Sequence, residues 1–292
     1  MRIPYWILIA IASLMLSCKD NPDPIFIDRS DDVPPLVLGV DYFLPDVDLN
    51  NWKVTLPIGN PTEVEPPTIL NYATSSLLED FMFNDSTDGA LVFYTYPGAS
   101  TTNSSYSRTE LREQLVPGSN NDNWTFAQGG NMNGVLKMDQ ISKDASGDYH
   151  RAIIMQIHGR LTDTQKDLIG QSDNNAPPVL KIYWNNQRVR VLRKILIDTS
   201  ATDLDILSKA AWTDEGFWFN EVVGFNAFKL EVKVSHSRME VILNDNESMV
   251  FDDIHMQKWG IFENYFKAGN YLITTDQNAF ARVKYYELKV EH

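Results

Sequence analysis

The sequence predicts an all-β fold: a jelly-roll sandwich of two antiparallel sheets, one of them presenting a concave groove. Three observations lead there. Apolar and polar residues alternate with a period of two in run after run between residues 41 and 292, the signature of strands with one buried face. The runs are short and many, with turn residues such as Asn244-Asp245-Asn246 between them, a pattern of sandwiches. Helical patterns are few and short: residues 203–211 form the best candidate, and residues 77–80 read as a turn.

Near the start of the chain, Arg2 is followed by an apolar stretch at residues 7–16 that stops at Ser17-Cys18. That stretch is too short to span a bilayer but matches the core of an export signal, giving a signal peptide at 1–17. Cys18 is the sole cysteine, so no disulfide can form within the chain. Placed directly after the apolar core, it reads as the acylation site of a bacterial lipoprotein. Met15 is atypical for such a site, and a cleaved signal with an incidental cysteine is the competing reading. Lys19-Asp20 resembles a surface-export signal of outer-membrane lipoproteins. The expected location is therefore the outer membrane, facing outward, with membrane contact only through the lipid. Residues 18–40 alternate Asp with Pro and hold few large apolar groups; they are expected to form an extended tether. Residues 41–292 then make one domain.

Within that domain residues 49–57 read as the first strand. Strands follow at 90–95, 135–138, 152–158, 179–184, 188–192 and 228–234. Residues 239–243 and 248–251 flank Asn244-Asp245-Asn246 as a hairpin, and 282–290 form a closing strand.

The net charge of −14 argues against nucleic acid as a partner. A polyanionic ligand would be repelled at long range, but salt screens that beyond about 10 Å. Such a ligand therefore demands a local cluster of basic groups, and three segments supply one. Arg108, Glu110 and Arg112 share a strand face, alternating with Thr109 and Leu111. The glutamate can fix the guanidinium forks and leave donors for a ligand carboxylate; a surface charge ladder is the plainer alternative. Gln156 and His158 close an apolar strand, where buried polar groups need partners or a ligand, unless the strand simply emerges into solvent. His158 has the ordinary pKa of a base near neutrality. Tyr265, Lys267 and Tyr271 surround Ala268-Gly269. A cation such as Lys267 or Arg108 can stabilise a tyrosine phenolate, and a core tyrosine is the alternative. If these faces converge, they make a groove with positive charge, an imidazole, a phenol and an amide, suited to an acidic sugar polymer. Arg188 and Arg190 share a further face and either line that groove or form a solvated strand.

No His or Cys pair has metal-ligand spacing, and there is no Gly-rich phosphate loop or G-x-S-x-G, so neither a metal nor a cofactor is expected. Glu110 and Glu113 fall on opposite strand faces, which disfavours a glycoside hydrolase with paired carboxylates.

The three segments together resemble alginate lyases of polysaccharide lyase family 7. That family is marked by R-(S/T)-E-L-R, Q-(I/V)-H and Y-F-K-A-G-x-Y; here these are Arg108-Thr109-Glu110-Leu111-Arg112, Gln156-Ile157-His158 and residues 265–271, in that order. Asn51-Trp52-Lys53-Val54-Thr55-Leu56-Pro57 is similar to the family's opening strand. The resemblance, over about residues 45–290, implies a jelly roll that cleaves alginate by β-elimination. It implies catalytic roles for Arg108, Gln156, His158 and Tyr271, and substrate contacts by Glu110, Arg112, Lys267, Tyr265, Arg188 and Arg190. The family often has Gln two positions after its last Tyr; Ile273 stands there in this chain, and Gln277 is the candidate substitute. A lyase for another polyuronate such as glucuronan, or a non-catalytic carbohydrate-binding jelly roll, are the alternative readings. A monomer is expected.

Overall fold

The computed structural model describes residues 42–100 and 104–292. The signal, Cys18 and the tether lie outside the described residues. Strands β1 to β9 are Asp46–Val47, Trp52–Leu56, Thr62–Val64, Met82–Asn84, Leu91–Thr95, Arg108–Glu113, Trp124–Thr125, Gly130–Ile141 and Arg151–Arg160. Strands β10 to β17 are Asn175–Asn185, Arg188–Leu196, Trp212–Val222, Phe228–Ser235, Arg238–Leu243, Glu247–Phe251, Glu263–Leu272 and Ala281–Glu291. Two short helices, α1 (Asp163–Leu168) and α2 (Ile254–Trp259), sit in connections.

The strands form two sheets. One runs β15-β14-β13-β8-β17-β5-β4, the other β12-β11-β10-β9-β16-β6-β2-β3. Nearly every pairing is antiparallel; β1 adds to β17 in parallel, an exception to the predicted pattern. Between the sheets lie Phe93, Leu136, Ile154, Trp184, Phe266 and Tyr285, each almost wholly buried. Sequence-neighbouring strands often lie in different sheets, so the three motif strands meet only by crossover: β16 lies between β6 and β9.

The predicted strands are present, several of them longer than expected. Residues 203–211 are not an α-helix. They form two 3-10 turns, Asp205–Leu207 and Lys209–Ala211, broken at Ser208, whose ψ of 134° is extended and whose hydroxyl caps Ala210. Edge strand β12 is not apparent in the sequence because its exposure pattern has no clean alternation. The helices α1 and α2 are too short for a helical period to show. Each has a polar N-cap: Thr162 in a reciprocal pair with Gln165, and Asp253.

One irregularity positions the site. Between Ala268 and Tyr271, β16 carries an extra residue relative to β9 while staying in register with β6. Gly269 takes φ +127° there; a Cβ would meet the Thr109 carbonyl oxygen at 2.8 Å and Glu110 Cα at 3.1 Å, so no side chain fits. Tyr285 reaches across from the opposite sheet to secure the bulge. Its hydroxyl accepts from the Gly269 N–H at 3.1 Å and donates to the Ile154 carbonyl at 2.5 Å. The Asn270 amide donates to the carbonyls of Phe93 and Ala281. The two sheets are thereby tied together behind Tyr271.

Candidate active site

Register places the motif side chains on the outer face of the nine-stranded sheet. Gln156 lies opposite Lys267, which lies opposite Arg112; His158 lies opposite Tyr265; Arg108 lies opposite Tyr271. Directly paired residues share a face, so all three motifs converge. Although this face points away from the core, Glu110 is 1 % exposed, Gln156 2 % and Lys267 6 %. Such burial on an outer face means a cleft, not a flat sheet.

Glu110 is its hub. Its Oε2 accepts from the Lys267 ammonium and lies 3.4 Å from Nη1 of Arg108, while its Oε1 accepts from the Gln156 amide at 2.5 Å. Two cations, Arg108 and Lys267, meet one carboxylate, and Arg112 stands opposite Lys267 in the strand register, so the cleft is locally positive in a chain of net charge −14. Burial pushes the Lys267 ammonium down to about 8, with Glu110 opposing and Arg108 reinforcing the shift.

Among the described residues Arg108 has spare donors. Beyond Glu110 its guanidinium lies 4.0 Å over the Tyr271 ring. Arg112 is differently placed. It donates to the carbonyls of Glu113 and Asn120 and to Asn123, and lies 4.1 Å over the Tyr265 ring. Its donors are engaged within the protein, so it walls the cleft and does not offer the open fork expected from sequence. Glu110 likewise orients its neighbours, and Tyr265 is held between Arg112 and His158.

His158 stacks on Tyr265 at 5.2 Å with ring planes 11° apart. Its Nδ1 lies 2.9 Å from the Gly159 carbonyl oxygen. A carbonyl only accepts, so Nδ1 carries the proton and Nε2 keeps its lone pair. Burial, aided by the charges of Lys267 and Arg108 and opposed by the Gly159 carbonyl, pushes the imidazole down to about 3. It is neutral at pH 7.

Tyr271 reverses one expectation. Arg108 does stabilise its phenolate, but burial outweighs Arg108 and the Ser104 hydrogen bond, and the phenol lies above its ordinary 10.0. The group stays protonated at neutral pH in the free protein. The Ser104 hydroxyl bonds to that of Tyr271, where either oxygen can donate, and lies 3.1 Å from the Tyr106 carbonyl oxygen. Nothing in the local sequence marks Ser104, nor Lys209, whose charge reaches His158 from a 3-10 turn.

Arg190 falls on the same face through the register Arg190–Tyr183–Ile153–Tyr271. Arg188 lies two residues along β11, and its Nη2 donates to the Phe219 carbonyl at 2.5 Å. Both belong to the outer reach of the face, away from Glu110. Gln277 is exposed and donates to the carbonyl of Thr275 in its own loop, so it does not stand in for the family glutamine.

A β-sandwich whose outer face joins cations, an amide, a neutral imidazole and a protonated phenol is a carbohydrate-active enzyme of the acidic-sugar class. The family model for alginate lyase matches residues 47–292, and the chain belongs to that family, polysaccharide lyase family 7. It is 29 % identical to alginate lyase A1-II′ of that family, with a TM-score of 0.67 over 84 % of this chain and 96 % of the other. A variant of A1-II′ with one Tyr→Phe change, in complex with the product GGG, is 28 % identical, with a TM-score of 0.68 over 85 % and 97 %. An alginate lyase of Pseudomonas aeruginosa shares the fold at 21 % identity and a TM-score of 0.61 over 84 % and 100 %. No curated protein sequence matches the chain.

Proposed function

We propose that this cleft depolymerises alginate by β-elimination, with Arg108 and Gln156 holding the uronate carboxylate, His158 as base and Tyr271 as acid. The observation that carries the reading is a complementary pair on one sheet face: a neutral imidazole with an open Nε2 and a protonated phenol. The C5 proton of a uronate is weakly acidic. Neutralising the neighbouring carboxylate stabilises the enolate-like intermediate, and preorganised donors do this best in a buried site. The C5 proton passes to Nε2, the C4–O4 bond breaks as the C4=C5 bond forms, and O4 takes the phenolic proton. No water is consumed. A bound carboxylate also places negative charge beside His158 and raises its basicity from the depressed resting value.

The stereochemistry follows from the protonation states. In guluronate H5 and O4 lie on opposite sides of the ring, which suits a separate base and acid. In mannuronate they lie on one side, which asks Tyr271 to begin as a phenolate. Burial raises the Tyr271 phenol, which suits the route with a separate base and acid. A variant of A1-II′ carrying one His→Asn and one Tyr→Phe change, described as in complex with the substrate GGMG, supports an alginate chain as ligand.

The test is the ultraviolet absorbance of the unsaturated product with polyguluronate, polymannuronate and polyglucuronate offered separately. A rise fastest on polyguluronate is expected. A rise on polyglucuronate alone would make this a lyase for another polyuronate. Binding without any rise would leave a carbohydrate-binding module.

The location proposed is the outer face of the outer membrane, through an acylated Cys18. The apolar stretch at 7–16, the sole cysteine and the Asp/Pro-rich spacer support it. Cys18→Ala is expected to release the protein from the membrane fraction; unchanged fractionation overturns the anchor.

A further inference from the structure

The cleft face does not end at the catalytic groups. Register continues it in one row from Arg108 and Tyr271 through Ile153, Tyr183 and Arg190 to Trp218 on edge strand β12. Trp218 is 41 % exposed, uncommon for so large an apolar ring. Arg190 lies 5.2 Å from its centroid and Arg188 5.6 Å. The acidic groups nearby on β12 are engaged elsewhere: Asp214 with Lys181 and Lys194, Glu215 with Arg193, and Glu221 with the Asn244 amide. Arg190 has no carboxylate or hydrogen-bond partner among the described residues, and the Nε atoms of Arg188 and Arg190 are buried without an acceptor. Gly216 leaves the space Arg190 fills, since a Cβ there would stand 3.0 Å from Nη2 of Arg190.

An exposed indole flanked by two cations without counter-ions has the chemistry to hold an acidic sugar. The indole covers the apolar face of a pyranose and a guanidinium fork takes its carboxylate. From Tyr271 to Trp218 there are four strand steps, about 19 Å at ~4.8 Å each. A sugar repeat is comparable to one step, so the platform lies about four rings from the cleaved linkage. On the other side of Tyr271 the row ends at Arg108, because β2 pairs only with residues 110–113 of β6.

The geometry points to a distal subsite formed by Trp218, Arg190 and Arg188 that binds a uronate ring remote from the reaction and makes the enzyme favour long chains. This rests on the lyase reading, and the test separates the two. Trp218→Ala, Trp218→Phe and Arg190→Gln are compared with the unaltered protein on uronate oligomers of defined length. The series runs from the shortest that is cleaved to ones long enough to reach β12. For Trp218→Ala, KM for long oligomers and polymer is expected to rise about tenfold with kcat unchanged. Constants for the shortest substrate stay as they were, and Trp218→Phe recovers part of the loss. A loss in strand packing would act at every length, so equal effects at all lengths, or none at any, overturn the subsite. Calorimetric binding of the same oligomers covers the case in which nothing is cleaved. A step in affinity at the length that reaches β12, abolished by Trp218→Ala, would keep the platform while the lyase reading failed. Cleavage without that step would sink the platform alone.

Discussion

Glu110 and Gln156 join hands across an intervening strand: the Gln156 amide donates to the Glu110 carboxylate at 2.5 Å, passing over β16. The Lys267 ammonium meets the other oxygen of the same carboxylate. We predict that Glu110→Gln loosens both and leaves Lys267 buried without its counter-charge. Removing one partner of a buried pair costs about 3 kcal/mol, read as a lower urea midpoint. Misplacing Arg108 and Gln156 is expected to lower kcat about 100-fold. Wild-type stability together with wild-type kcat would show that Glu110 organises nothing.

Arg108 should matter by geometry as well as by charge. Its guanidinium has one long contact to Glu110 and otherwise lies over Tyr271, so a bidentate fork remains for the substrate. Arg108→Lys keeps the charge but loses the fork; a fall in kcat/KM of about 100-fold is expected, with Arg108→Ala lower still. If the alanine variant degraded a polyuronate at the normal rate, carboxylate neutralisation would have to come from elsewhere.

Tyr271→Phe removes the transferable proton and keeps the ring under Arg108. The expected loss is about two to four powers of ten in kcat, while oligomer affinity measured by calorimetry changes little. Retained turnover would assign the acid role to another group.

Ser104 is expected to act as a positioning residue for that phenol, since its hydroxyl bonds to the Tyr271 hydroxyl and so fixes its torsion. Arg108 and Ser104 lower the phenol's pKa, while burial, Glu110 and Tyr106 raise it. Ser104→Ala should therefore lower kcat more than it changes KM and move the alkaline limb of the rate profile to higher pH. Ser104→Thr should restore both. An unmoved alkaline limb would mean the contact plays no part in catalysis.

Two histidines should tilt stability in opposite directions. His158 is pushed down to about 3, so below about 6.5 the unfolded chain binds a proton that the folded chain refuses. Stability is lost as pH falls through that window. His292 behaves conversely. Burial works against its charge, but the Glu113 carboxylate at 2.6 Å outweighs burial and raises it above 6.5. Its contribution is complete below the unfolded value and is lost as pH rises through the folded one. Urea unfolding between about pH 4.5 and 6.5, where most carboxylates are already ionised, should show a flatter slope for His158→Gln. His292→Gln should remove the decline just above 6.5. Parallel curves for variant and wild type would contradict these charge states.

The sequence by itself determined which residues share a strand face. Arg108, Glu110 and Arg112 alternate with Thr109 and Leu111, and the structure keeps that alternation because one face of β6 must enter the core. The shared face within each of the three segments and the hairpin around Asn244 were legible for the same reason: strand period and turn chemistry are local. What only the tertiary structure decided is how these side chains are used. The contacts of Arg112 with the loop at Asn120 and Asn123 and with Tyr265 turn an expected ligand donor into a wall. The bulge at Gly269 is held by Tyr285, which bonds to it from the opposite sheet. The protonated state of Tyr271 and the neutral state of His158 follow from burial by segments remote in the chain. Desolvation depends on everything folded around a group, and no local pattern of residues records that.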